Sequence, residues 1–122
     1  MTLPPDAASQ PYVWLTTTGR RTGLDRTVEL WFALEGETVH FLAGGGPSSH
    51  WVQNSIADPA VRLRVGAADF LGRARVPESE SEEEHAARRA LAAKYQGWSE
   101  GQPLSGWARR SFCLAVDLAE AA

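Results

Sequence analysis

The chain has 122 residues, 43% of them hydrophobic and 22% charged, which suits one domain around one core and excludes a disordered chain. A net charge of −3 gives no overall pull toward nucleic acid or anionic membranes, so cationic charge matters only where it is local. The single cysteine, Cys113, excludes an internal disulfide and a thiolate metal cage, and its apolar setting favours a buried, inert thiol.

Residues 1–11 carry three prolines and read as a loose arm ahead of a single domain over 12–122. The start lacks a basic stretch followed by an apolar one, and no apolar run approaches membrane-spanning length. A cytoplasmic protein with no membrane span is the expectation. Tyr12 to Thr18, rich in aromatic and β-branched residues, predicts the first strand. Gly19-Arg20-Arg21-Thr22-Gly23 breaks it. From Arg26 to Leu34, Val28, Leu30, Phe32 and Leu34 alternate with Thr27, Glu29, Trp31 and Ala33, which predicts a second strand. Glu35-Gly36-Glu37 then turns the chain into a third, Val39 to Ala43.

Gly44-Gly45-Gly46-Pro47 cannot be regular structure. Ser48 or Ser49 can cap a short helix through Ile56, with Trp51, Val52, Ser55 and Ile56 on one side and Asp58-Pro59 ending it. Val61 to Val65 alternates cleanly as a strand, and Phe70 to Val76 predicts another. The acidic run 78–84 opens a second helix, with Ser81 and Glu84 at capping-box spacing. Ala87, Ala90, Leu91 and Lys94 give that helix a narrow apolar stripe. Residues 97–105 read as a loop and Ser111 to Leu118 as the last strand. Six strands with two helices predict a mainly β (α+β) fold, a small antiparallel barrel. No strand–helix unit carries the glycine fingerprint of a dinucleotide fold.

Chemistry concentrates in two places. Gly19 to Gly23, followed by Arg26, joins glycines that permit exposed backbone N–H groups to arginines that bind phosphate oxygens bidentately, and Thr22 adds a hydroxyl. The same residues also suit an ordinary solvated turn, and spacing alone does not separate the two. Gly44-Gly45-Gly46 costs backbone entropy, a cost tolerated where backbone must approach a flat ligand or where a loop is simply flexible. Ser49, His50 and Trp51 at the following helix start stand beside it. His40 and His85 read as structural histidines, and no metal site is expected.

In order and spacing, Leu15-Thr16-Thr17-Thr18-Gly19-Arg20-Arg21-Thr22-Gly23, Arg26, Leu30-Trp31-Phe32, Leu42-Ala43-Gly44-Gly45-Gly46 and Trp51-Val52-Gln53-Asn54 resemble the deazaflavin-dependent nitroreductases, which use coenzyme F420. The resemblance implies a split β-barrel related to FMN-binding pyridoxamine-phosphate oxidases, commonly a homodimer. It implies that Gly19, Arg20, Arg21, Thr22 and Arg26 hold the cofactor's phosphate and acidic tail. Ala43, Gly44, Gly45 and Gly46 would then lie along the ring. The implied reaction is hydride transfer from reduced F420 to a small-molecule acceptor: a quinone, nitro compound or activated alkene. An FMN enzyme of the same barrel type and a non-catalytic ligand-binding barrel are the alternatives. Tyr95, Trp98 and Trp107 are candidate pocket walls, and Trp14, Trp31 and Trp51 exceed what one small core needs, which suggests packing between subunits.

Overall fold

A computed structural model describes residues 2–121, with side chains described through residue 119. Seven strands form one sheet: β1 (Val13–Thr18), β2 (Asp25–Leu30), β3 (Ala33–Glu35), β4 (Thr38–Ala43), β5 (Ala60–Val65), β6 (Ala68–Arg75) and β7 (Phe112–Ala121). Three helices accompany them: α1 (His50–Ala57), α2 (Glu82–Gln96) and α3 (Gly106–Arg110). Before β1, residues Ala7–Ser9 make a 3-10 turn whose Ala7 is buried in the core. No helix among the described residues is long and apolar enough to cross a membrane.

Every strand pairing is antiparallel, in the order β2-β1-β5-β6-β7-β4-β3. β2 and β3 stand at opposite edges of that order, yet only Trp31 and Phe32 separate them in the chain. Two linking residues span roughly 10 Å at most, so the edges meet and the sheet curls into a barrel with its seam at Trp31-Phe32. The expected strand from Arg26 to Leu34 therefore divides in two. Phe32 and Ala33 are both buried, one in the barrel interior and one beneath α2, which breaks the two-residue alternation at the seam.

The strands whose alternation was clean keep it. β1, β5 and β6 point Val13, Leu15, Val61, Leu63, Val65 and Phe70 into the barrel and their alternate residues outward. β4 is buried on both faces: Val39 and Phe41 point inward, while Leu42 lies outward under α2 with Leu91, Ala87 and Cys113. Burial pushes the Cys113 thiol up to about 12, so it is inert, as its setting suggested. Ser81 caps α2 by accepting from the Glu84 N–H at 3.2 Å. Ala87, Leu91 and Ala92 are buried along the helix, while Ala90 of the expected stripe stays exposed. In α1, Asn54 turns inward with Val52 and Ser55, and Ile56 faces solvent instead. α3 lies between the expected loop 97–105 and the last strand, where no element was expected, and Ser105 caps it by accepting from the Ala108 N–H at 3.1 Å.

An ion cluster fastens α2 to the sheet. Arg75 donates to Glu83 through both Nη atoms, at 2.8 and 2.7 Å, and to Asp117 through Nε at 2.7 Å. Arg75 holds the Glu83 carboxyl down to about 2, with His40 assisting, and also lowers Asp117. A depressed carboxyl contributes stability that is complete above its unfolded value and is lost as pH falls through the folded one. Stability should therefore decline between pH 4.5 and about 2, and Glu83→Gln should flatten that decline in acid-unfolding curves. At the bulge between Leu71 and Gly72, a Cβ on Gly72 would lie 2.6 Å from Val116 Cγ1. Gly72→Ala should lower stability by about 1–3 kcal/mol in denaturant titration.

Candidate functional site

The turn between β1 and β2 is held from within. The Gly19 N–H donates to Leu24 O and the Gly23 N–H to Gly19 O, both at 2.8 Å. Gly23 takes φ +72, which favours glycine, and a Cβ on Gly19 would sit 2.8 Å from Thr22 Oγ1. Thr22 Oγ1 accepts from the Leu24 N–H at 3.2 Å, so its own proton remains free to donate outward.

α1 then fastens the turn from behind. Asn54, only 4% exposed, accepts through Oδ1 from both the Arg20 backbone N–H at 3.1 Å and Arg20 Nη1 at 2.8 Å. Its Nδ2 reaches Thr17 Oγ1 at 3.4 Å. Arg20 Nη2 lies 3.2 Å from His50 Nδ1. A guanidinium can only donate, so His50 Nδ1 accepts and the ring is the neutral tautomer with its proton on Nε2. Arg20 is thereby oriented, and His50 offers one N–H donor.

These groups line an open groove of about 530 Å³ built from Gly19 to Thr22, the β2 residues Asp25 to Val28, and His50, Trp51 and Asn54 of α1. Arg62 engages Asp25. Arg21 and Arg26 make no hydrogen bond or ion pair among the described residues, so the groove carries two uncompensated cations. Of the residues singled out in the sequence, the structure gathers Gly19, Arg20, Arg21, Thr22, Arg26, His50 and Trp51 here.

Ala43, Gly44, Gly45, Gly46 and Ser49 lie outside the groove lining. Ala43 is buried at the end of β4, and the glycines lead from it into α1. Gly46 takes φ +78, and Ser49 Oγ donates to its carbonyl at 2.8 Å, so Ser49 braces the loop. A Cβ on Gly44 would lie 3.3 Å from Trp107 Cδ1 of α3. Trp107 meets Trp31 edge-on at 5.5 Å, and Trp31 stacks parallel on Tyr95 at 4.4 Å. Trp31 remains 48% exposed, so the glycine loop borders a flat aromatic surface. Trp98 instead donates through Nε1 to Gln102 O. Glu29 stands opposite Trp14 on the outer face of the sheet.

The sequence reading passed over Asn54 as a functional residue. Its signal was a polar side chain on the inward side of a short apolar helix, two residues from Val52. Trp51 and Trp31 also pack within this chain, Trp51 edge-on to Phe41 at 5.8 Å, and Trp14 on the outer face meets Tyr12 edge-on at 5.3 Å.

Solved structures share this architecture. An F420-H2-dependent reductase (FDR-A) aligns with a TM-score of 0.66 at 26% identity over 89% of this chain and 94% of its own. A domain-swapped dimer aligns with a TM-score of 0.68 at 28% identity over 88% and 80%. A pyridoxamine 5'-phosphate oxidase-like protein from Lactobacillus delbrueckii shares the fold, with a TM-score of 0.66 at 13% identity over 98% and 93%. Comparison with the curated proteins finds no match. The barrel is thus that of the F420 reductases and the pyridoxamine-phosphate-oxidase-like proteins. The chain belongs to the F420H(2)-dependent quinone reductase family, whose model matches residues 5–104. It is an oxidoreductase of the F420-dependent class, with coenzyme F420 as its cofactor. A groove with two free arginines, an oriented third and a hydroxyl donor fits an anionic cofactor.

Asn54→Ala removes three hydrogen bonds from a buried position and releases Arg20. It should cost about 1–3 kcal/mol in denaturant unfolding.

Proposed function

We propose that the groove binds the phosphate and acidic tail of F420H2 and that the acceptor is a quinone. The observation that carries this reading is the pair of uncompensated cations, Arg21 and Arg26, beside an Arg20 that α1 has already oriented. Bidentate arginine contacts suit phosphate and carboxylate oxygens, and a guanidinium already fixed loses less freedom on binding. Thr22 and His50 Nε2 add neutral donors at the same rim.

When bound, F420H2 supplies the hydride. This chain's part is to place it. Gly44 and Gly45, both exposed and without side chains, let the backbone of the 43–46 loop approach the ring. Trp31, braced by Tyr95 and Trp107, gives a planar acceptor an exposed aromatic surface to pack against next to that loop. The quinone named in the family's description supports this acceptor, as does the flatness of the aromatic surface. A homodimer is part of the same reading, supported by the domain-swapped relative, and light scattering in solution would measure it.

Titrating the protein with F420 and following cofactor fluorescence should show micromolar binding that weakens with salt. Arg21→Ala with Arg26→Ala should weaken it about a hundredfold while leaving unfolding within about 0.5 kcal/mol of the parent. Unchanged affinity in that variant would remove the groove from the reading. Trp31→Ala should raise the KM for a benzoquinone about tenfold with F420 affinity unaltered. An unchanged KM would put the acceptor elsewhere.

A further inference from the structure

A second cavity, of about 310 Å³, lies between α2 and the β3–β4 edge, away from the arginine groove. Its walls are Leu34 and the small side chains Ala33, Ala86, Ala87 and Ala90, and its polar end carries His40, Thr38 and Glu83. Glu35 also lines it. An apolar cavity of about 150 Å³ admits a benzene ring, so this one holds a substituted ring and little more.

The polar end has a defined sense. Glu83, held ionised by Arg75, accepts from His40 Nε2 at 2.8 Å, so Nε2 carries a proton. His40 is 5% exposed, and its Nδ1 makes no hydrogen bond among the described residues. No polar side-chain atom among those residues is buried without a partner, so Nδ1 is open to the cavity that His40 lines. In the neutral imidazole that atom is a bare lone pair. Thr38 Oγ1 spends its proton on Asp117 Oδ1 at 2.8 Å and likewise offers only lone pairs. With the His40 ring neutral, the free polar groups of the cavity all accept, and the two glutamates disfavour an anion.

We propose that this cavity is a binding site for a small neutral aromatic bearing hydroxyl donors, of the phenol and catechol class, with its ring among the alanines and a hydroxyl on His40 Nδ1. A molecule of the same shape that can only accept would leave Nδ1 and Thr38 unpaired and gain nothing from them. The inference stands apart from the F420 reading, since it uses none of the groove residues.

The test is an amide NMR titration of the whole protein with catechol and, separately, with 1,2-dimethoxybenzene. Catechol should give saturable shifts at Leu34, Thr38, His40, Ala87 and Ala90, with affinity about tenfold above the dimethoxy compound. Ala86→Leu with Ala90→Leu, both at exposed helical positions, should fill the cavity and abolish those shifts while the rest of the spectrum is kept. Equal affinity for the two compounds, shifts centred elsewhere, an absence of saturable shifts, or full binding by the leucine variant would each overturn the proposal. Should the leucine variant unfold, the ratio of the two affinities in the parent decides alone.

Discussion

Closure of the barrel at Trp31-Phe32 is the constraint on which the rest of the structure depends. Two sheet edges that share no hydrogen bonds are held within one short peptide link of each other. The link is reinforced locally: Tyr95 Oη accepts from the Phe32 N–H at 3.1 Å and donates to Pro11 O at 2.8 Å. Lys94 Nζ donates to Phe32 O at 3.2 Å. The C-terminal half of α2 is thereby pinned to the seam, while Glu83 in its N-terminal turn is pinned to Arg75 of β6, which also holds Asp117 of β7. With both ends of α2 fixed, the outer faces of β4 and β7 stay dry, and α3 can bring Trp107 against Trp31.

The arginine turn shows a division of labour among like residues. Arg20 is committed to the protein, through Asn54 and His50, and acts as scaffold. Arg21 and Arg26 are committed to nothing within the described residues. An anion entering the groove meets charge that no internal carboxylate has neutralised, on a turn that cannot rearrange to evade it. Affinity from such a site falls with ionic strength, while the scaffold beneath it does not.

Much of this was legible in the sequence because it depends on local rules. Alternation placed β1, β5 and β6, and Ser81 with Glu84 placed the start of α2. The turn between β1 and β2 was marked by its glycines and arginines, and the order of motifs pointed to the family. The split of β2 from β3 was not legible, because Val28 to Leu34 keeps its period in sequence while the chain changes sheet edge at Trp31. α3 was missed because Gly106 opens it and five residues carry too little pattern. Asn54 was missed for another reason: its partner, Arg20, lies thirty-four residues away, and only folding brings the two together. The loop 43–46 was expected along the cofactor ring and the arginines at its phosphate and tail, and α1 links the two segments.

Lys94 gives the seam a chemical handle. It is the only lysine in the sequence, and burial over the Phe32 ring lowers its amine to about 8. A substantial fraction of that amine is therefore the free nucleophile in mildly alkaline buffer, where ordinary surface lysines are almost wholly protonated. An amine-directed reagent small enough to reach it would mark one side chain, two residues along the chain from Gln96 and beside the Trp31–Tyr95 stack. A single native side chain can thus carry a spectroscopic label at the place where the barrel closes.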